Sequence, residues 1–183
     1  MIKIHEDVFD KKWLDDISHT LMDQPWFANN RANRKTWPNG EKGSHLLMGT
    51  NYFFRENDNQ IHYAKNENLS NHLIHSFQAI EKAVKRKMRL MEIFVNLQFK
   101  GMDGTLHKDG FVKSKTAFIL MLANEHVSGD IGGEFFHQPT NTKIPYGYGK
   151  LIELDAEDLH MGLAFNKPNV ARISIKYVGD NEN

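Results

Sequence analysis

Near position 89 the spacing of apolar residues changes, and with it the kind of secondary structure the chain can form. Before that point the apolar residues recur every three or four positions, the spacing of one helix face. Asp10 is placed to cap a helix running to about Asp23, with Trp13, Leu14, Ile17 and Leu21 on one side. A second helix is predicted from about Leu69 to Met88, with Leu69, Leu73, Phe77, Ile80 and Val84 in register. Ile2 to Val8 reads as a short strand. The intervening stretch from Gln24 to Asn66, including "PWFANN" and "TWPNGEKG", reads as loops with one or two strands.

From Arg89 onward the period is two. In "MEIFVNLQF", Ile93, Val95, Leu97 and Phe99 face one way, and Phe94, Asn96 and Gln98 the other. "TAFILMLA", "GEFFHQ", "KLIEL", "LHMGLAF" and "VARISIKYV" continue the series as short strands, separated by turn signals such as "SGDIGG" and "IPYGYG". Helices succeeded by many short antiparallel strands predict an α+β fold. Its core would be a double-stranded β-helix (jelly-roll or cupin-like) with the N-terminal helices packed on one sheet. At 183 residues the chain fits a single domain, residues 1–183, with a helical half over 1–88 and a jelly-roll core over 89–178.

Composition narrows the chemistry. There is no cysteine, which removes disulfides, thiolate zinc sites, iron–sulfur clusters and cysteine nucleophiles together. A metal would therefore be held by histidine and carboxylate. The formal net charge is zero, against a general nucleic-acid surface, and "EKAVKRKMR" reads as a solvated helix face. The apolar run from Thr116 to Ala123 is too short to span a bilayer, and "MIKIHEDVFDKK" lacks a signal pattern, so the expected location is cytoplasmic.

Against that background, "GTLHKDGF" stands out. In an extended segment residues i and i+2 point to the same side, so His107 and Asp109 can converge while Lys108 turns away. A jelly roll folds distant strands together, and His160 in "AEDLHMG" is the best third partner. Two histidines and one carboxylate on one face of an octahedron leave the opposite face open, as non-haem Fe(II) oxygenases require. Twelve residues after His160, Arg172 and Ser174 share one strand face, opposite Ala171, Ile173 and Ile175. An inward-facing arginine calls for an anion, and a guanidinium matches a carboxylate. Plainer readings exist for each residue. "HKD" can be a polar turn, His160 can be bonded to Asp158, and Arg172 can pair with an internal acid such as Glu153. Asp158 also rivals Asp109 as the acidic ligand. The remaining histidines read as surface or packing residues.

Taken in order, these motifs resemble the 2-oxoglutarate- and Fe(II)-dependent oxygenases. The family pattern is HxD, a distal histidine about fifty residues on, then a basic residue about a strand later, often within R-x-S. Here "HKD" occupies His107 to Asp109, His160 lies fifty-one positions after Asp109, and "RIS" spans Arg172 to Ser174. "GGEFF" and "LHMGLAFNKPNVARISIKYV" resemble the prolyl-4-hydroxylase-like branch, and the likeness covers about residues 89 to 178. The family order, histidine first and acid second, favours Asp109 over Asp158.

This resemblance implies Fe(II) on His107, Asp109 and His160, with 2-oxoglutarate as cosubstrate and its 5-carboxylate on Arg172 and Ser174. O₂ would be consumed, succinate and CO₂ released, and a C–H bond hydroxylated. Where many members of that branch carry a tyrosine nine residues before the HxD histidine, this chain has Gln98, with Asn96 on the same face; both are candidate cosubstrate contacts. The second arginine usual in nucleic-acid demethylases is replaced by Val178.

Peptidyl proline is the first substrate expectation. A nucleobase or small metabolite is the runner-up, and a non-redox metal-binding jelly-roll protein is the alternative. Cupin-like proteins typically carry two histidines and a later glutamate, and "HKD" lacks the second histidine. The loop region with Trp26, Phe27, Arg31, Arg34 and Trp37 is a candidate lid over the metal. Nothing in the sequence specifies an oligomeric state.

Overall fold

The first helix begins where Asp10, in extended backbone, accepts a hydrogen bond from the Trp13 N–H at 2.8 Å. The structure is a computed structural model, and it describes residues 2–31, 46–56, 61–63, 66–127 and 129–181. Helix α1 spans Lys11–Met22 and buries Leu14, Ile17 and Leu21. Helix α2 spans Glu67–Val84, capped by Asn66, whose side chain accepts from the Leu69 N–H at 3.1 Å. It stops four residues short of the predicted Met88. Lys85 turns left-handed at φ 54°, and the Glu81 carboxylate accepts the Met88 N–H at 2.8 Å, steering the chain into the next strand.

Eleven strands are present among the described residues. Four come before α2: β1 (Lys3–His5), β2 (Phe27–Arg31), β3 (Leu46–Arg55) and β4 (Ile61–Tyr63). Seven come after it: β5 (Arg89–Gln98), β6 (Lys115–Ala123), β7 (Phe135–His137), β8 (Thr142–Ile144), β9 (Leu151–Asp155), β10 (His160–Gly162) and β11 (Arg172–Asp180). The major sheet runs β1-β9-β6-β11-β5-β3-β2, with β4 paired to β3; the minor sheet runs β10-β7-β8. Every pairing is antiparallel.

Each face of the major sheet has its own task. Ile93, Val95 and Leu97 of β5, Phe118, Leu120 and Leu122 of β6, and Ile173, Ile175 and Tyr177 of β11 pack against Leu21, Leu73, Phe77 and Ile80 of the helices. Burying a side chain of this size stabilises the fold by roughly 1.5–3 kcal/mol, so this layer anchors the sheet. On the opposite face, Ile119, Met121 and Ile152 meet Phe135 and Ile144 of the minor sheet. The helices thus cover one sheet, as expected, and the space between the two sheets is left for polar residues of β5 and β11.

One expectation needs correcting. The first half is not simply helical, because β3 is a ten-residue strand lying between β5 and β2 in the major sheet. Its Asn and Gly residues suggest loop, but pairing with β5 and burial of Tyr52 and Phe53 under the helices override that local preference. Among the described residues, no helix is long and apolar enough to cross a membrane.

Candidate metal centre and anion pocket

His107 lies outside the regular strands, yet its backbone is fixed. The His107 N–H donates to the His160 carbonyl and the His160 N–H to the His107 carbonyl, both at 3.0 Å. Two residues on, the N–H groups of Asp109 and Gly110 both donate to the Ala156 carbonyl at 2.9 Å. The HxD segment is thereby stitched to the end of β9 and the start of β10. These cross-chain bonds, added to the i/i+2 spacing, bring His107, Asp109 and His160 into one cluster, with ligand atoms all within 4.8 Å of one another.

The protonation pattern of the cluster is set by its surroundings. His107 Nδ1 lies 2.7 Å from the Thr105 carbonyl, and His160 Nδ1 lies 2.8 Å from the Asp158 carbonyl. A carbonyl can only accept, so each Nδ1 carries a proton, and in the neutral ring Nε2 is left to present a lone pair. His160 Nε2 is 3.2 Å from Asp109 Oδ2, and His107 Nε2 is 3.8 Å from Asp109 Oδ1. Asp109 Oδ2 is buried and receives no hydrogen bond. With both rings neutral, lone pairs of three residues would face one another here, an arrangement that a cation between them satisfies. Bonds of ~2.1 Å at right angles would space donor atoms about 3 Å apart, so the cluster fits a small octahedral dication.

Electrostatics agree. Burial holds the His107 imidazole down at about 4, helped by His160 and Lys176 and opposed by Asp109, so the ring is neutral and ready to ligate. Burial alone would raise the Asp109 carboxyl, but Lys176, His160 and His107 outweigh it and hold the group well below the usual carboxylate range. Phe135 stacks on the His160 ring at 5.2 Å and limits its rotation.

Asp158, the rival ligand, is turned elsewhere. Its Oδ2 is 2.9 Å from His137 Nε2, and His137 Nδ1 is 2.8 Å from the Thr140 hydroxyl. His137, which the sequence presents as an ordinary packing residue, is 1% exposed and ties down the turn whose carbonyl orients His160. Glu153, the rival partner for Arg172, binds His5 at 2.7 Å, Arg86 at 3.2 Å and Lys3 at 3.4 Å instead.

Arg172 is 1% exposed and has no carboxylate partner among the described residues. Its Nη1 donates to Gln98 Oε1 at 2.7 Å and its Nε to the Gly133 carbonyl at 3.2 Å, while Nη2 has no hydrogen-bond partner. Burial pushes the guanidinium down to about 10, which leaves it charged at neutral pH. The Tyr146 hydroxyl is also buried without a partner, and the Arg172 charge acts on it. Gly162 makes room for this cation, since a Cβ there would come within 3.1 Å of Nη1. A buried cation with an unused N–H, near an unused hydroxyl, has the donor chemistry to receive an anion.

Ser174 follows on the same face, 5% exposed, with Asn96 opposite it in register. The Gln98 amide N–H groups donate to the carbonyls of Met102 at 2.8 Å and Gly162 at 3.1 Å, and its oxygen accepts from Arg172. Both of its amide N–H groups are thus engaged, and its oxygen fixes the arginine. Lys176, two positions beyond Ser174, is a residue that the motifs do not single out, yet its Nζ lies 3.2 Å from Asp109 Oδ1. The period-two pattern through Arg172 and Ser174 is the signal that reaches it; Tyr146, in irregular chain after β8, offers none. Asp109 also forms one wall of a cleft of about 790 Å³ lined by Phe54, Glu92, Phe111 and Val112. Of the candidate lid residues, Trp26 packs against the core and Phe27 is half exposed, Arg31 ends β2, and Arg34 and Trp37 lie outside the described residues.

No protein-family model matches this chain, and neither does any curated protein. Solved structures do. An oxidoreductase of the 2OG-Fe(II) oxygenase family from Burkholderia pseudomallei is similar over 100% of this chain and 86% of its own, with a TM-score of 0.73 at 14% identity. A prolyl-4-hydroxylase from Pseudomonas putida is similar over 100% and 93%, with a TM-score of 0.62 at 12% identity. A viral collagen prolyl hydroxylase from Paramecium bursaria Chlorella virus-1, solved with 2OG, is similar over 98% and 96%, with a TM-score of 0.56 at 16% identity. The chain therefore has the jelly-roll fold of the 2OG-Fe(II) oxygenases along its whole length.

Proposed function

We propose that this chain is an Fe(II)- and 2-oxoglutarate-dependent dioxygenase that hydroxylates a C–H bond. The observation that carries the reading is the pairing of a three-residue ligand cluster with a buried arginine. Three ligand atoms within 4.8 Å of one another accompany a buried guanidinium nitrogen with no hydrogen-bond partner in the protein. His107, Asp109 and His160 would hold Fe(II). Arg172 Nη2, with Ser174 and the Tyr146 hydroxyl, would hold the 5-carboxylate of 2-oxoglutarate.

Bound Fe(II) would supply activation of O₂, placing one oxygen atom in succinate as CO₂ leaves and the other in the substrate C–H bond. The protein's part is arrangement. Thr105 and Asp158 carbonyls keep both histidines in the ligating tautomer. Gln98 and Gly133 aim the guanidinium. Two cosubstrate contacts on one rigid strand, β11, would fix its orientation relative to the metal ligands. Phe135 and the minor sheet close the site against water on one side.

Peptidyl proline remains the first substrate proposal, supported by the two prolyl hydroxylases that share this fold over more than nine-tenths of their length. Oxidation of a small metabolite or nucleobase is the other outcome of the same test. Succinate formation from 2-oxoglutarate should depend on Fe(II) and O₂, and should rise with a proline-rich peptide but not with methylated oligonucleotides. Absence of 2-oxoglutarate binding by the metal-loaded protein, together with no turnover, would sink the proposal. A zinc-loaded protein with no response to 2-oxoglutarate would point to the non-redox alternative.

A further inference from the structure

A carboxylate ligand can offer one oxygen or two, and the second oxygen would take a coordination position that the cosubstrate needs. Around Asp109 that choice is already made. Lys176 Nζ sits 3.2 Å from Oδ1, while Oδ2 faces His160 Nε2 at 3.2 Å. The ammonium is itself gripped from behind, with Glu92 Oε2 at 3.0 Å and the Phe94 ring centroid at 5.7 Å. The Lys176 side chain is 16% exposed and the Asp109 side chain 3%, so bulk water screens this contact weakly. The register explains why the three meet: Lys176 pairs with Phe94 across β5, and Glu92 is the next residue of β5 on the same face.

We propose that Lys176, held by Glu92, is a positioning residue for Asp109: it occupies Oδ1, so that Oδ2 alone is presented to the metal. The inference rests on the oxygenase reading of the triad. It also has a sign that separates it from a plain charge effect. An ammonium beside a dication site weakens metal binding by repulsion, so removing it would tighten binding if charge were all that mattered. Removing a group that orients a ligand weakens binding, typically by ten- to a hundredfold.

The test uses the full-length, metal-stripped protein titrated with Co(II) in the absence of 2-oxoglutarate, monitored by visible absorption. Lys176→Met should weaken Co(II) binding by about ten- to a hundredfold and alter the absorption spectrum, because Asp109 is free to turn. Lys176→Arg should recover most of the affinity, since a guanidinium can also cap Oδ1. Glu92→Gln, which keeps an acceptor for Nζ, should give a smaller loss in the same direction. Equal or tighter Co(II) binding by Lys176→Met overturns the proposal, and so does an equal loss in Lys176→Met and Lys176→Arg. Should Lys176→Met fail to fold, as read by circular dichroism, unchanged affinity in Glu92→Gln overturns it instead. If the unmodified protein binds no Co(II), the oxygenase reading falls with the inference; if it binds and the variants do not differ, only the inference falls.

Discussion

Arg172→Met separates a guanidinium kept for a ligand from one kept for the fold. In the ligand-free protein, burial lowers the Arg172 group from 12.5 to about 10. At ~1.36 kcal/mol per pH unit this is roughly 3 kcal/mol against the charged form. Its two hydrogen bonds, to Gln98 Oε1 and the Gly133 carbonyl, return about 1–1.5 kcal/mol each. The two sums nearly cancel, so methionine, an unbranched apolar replacement for the stem, should change ligand-free stability by less than about 2 kcal/mol. Removing one partner of an internally paired buried ion would cost ~3–5 kcal/mol.

Ligand binding breaks the balance. At a hundredfold excess over Kd, 2-oxoglutarate stabilises the folded protein by ~2.7 kcal/mol, on the order of 5–11 °C in Tm for a chain of this size. Losing a charge-assisted contact worth ~1.5–3 kcal/mol would cut that stabilisation to about half or less at the same concentration. Thermal melts with Mn(II), with and without 2-oxoglutarate, read both quantities. Ligand-free Tm values should agree within a few degrees, with the 2-oxoglutarate shift collapsing only in the variant. A ligand-free melt more than about 10 °C lower, or an undiminished shift, would refute the reasoning.

Other perturbations test the surrounding structure. Asp109→Ala should abolish succinate formation and Co(II) binding while leaving the circular dichroism spectrum unchanged; retained turnover would remove Asp109 from the site. Gly162→Ala puts a methyl 3.1 Å from Arg172 Nη1 and should raise the KM for 2-oxoglutarate roughly three- to tenfold with metal affinity unchanged, read by steady-state kinetics. Gly133→Ala combines a φ of +80° with a Cβ 2.3 Å from the Phe165 ring and should cost on the order of 2–4 kcal/mol, read from urea midpoints. The pH dependence of the metal-stripped protein follows from His107, whose folded value of about 4 lies below its ordinary 6.5. Between those values the unfolded chain binds more protons, so stability should be full above pH ~6.5 and fall as pH drops toward about 4. A flat stability profile across that window would contradict a neutral, buried His107.

The metal cluster is legible because its chemistry survives in short motifs. "HKD" carries two ligands at strand spacing, and "RIS" places a cation and a hydroxyl on one face. Helix α1 is legible to within a residue because Asp10 is both a good cap and actually capping. Relations between segments are what a linear reading hides. The mutual hydrogen bonds of His107 and His160, and the rotation of Asp158 toward His137, depend on how β7, β9 and β10 meet. Strand β3 is obscured because its Asn and Gly residues are poor local strand formers, tolerated only because β5 pairs with them. Gln98 falls on the expected face, but no local pattern reveals that Arg172 and two carbonyls use up its amide.

The central claim is that one metal ion sits on His107, Asp109 and His160, next to a 2-oxoglutarate carboxylate on Arg172. A crystal grown without oxygen in Fe(II) and 2-oxoglutarate, with diffraction measured on both sides of the iron absorption edge, tests this most directly. The expected result is a single iron peak bonded to His107 Nε2, His160 Nε2 and one oxygen of Asp109, with the cosubstrate's far carboxylate on Arg172 Nη2. Iron bound to other residues, or 2-oxoglutarate bound with its far carboxylate away from Arg172, would contradict the account.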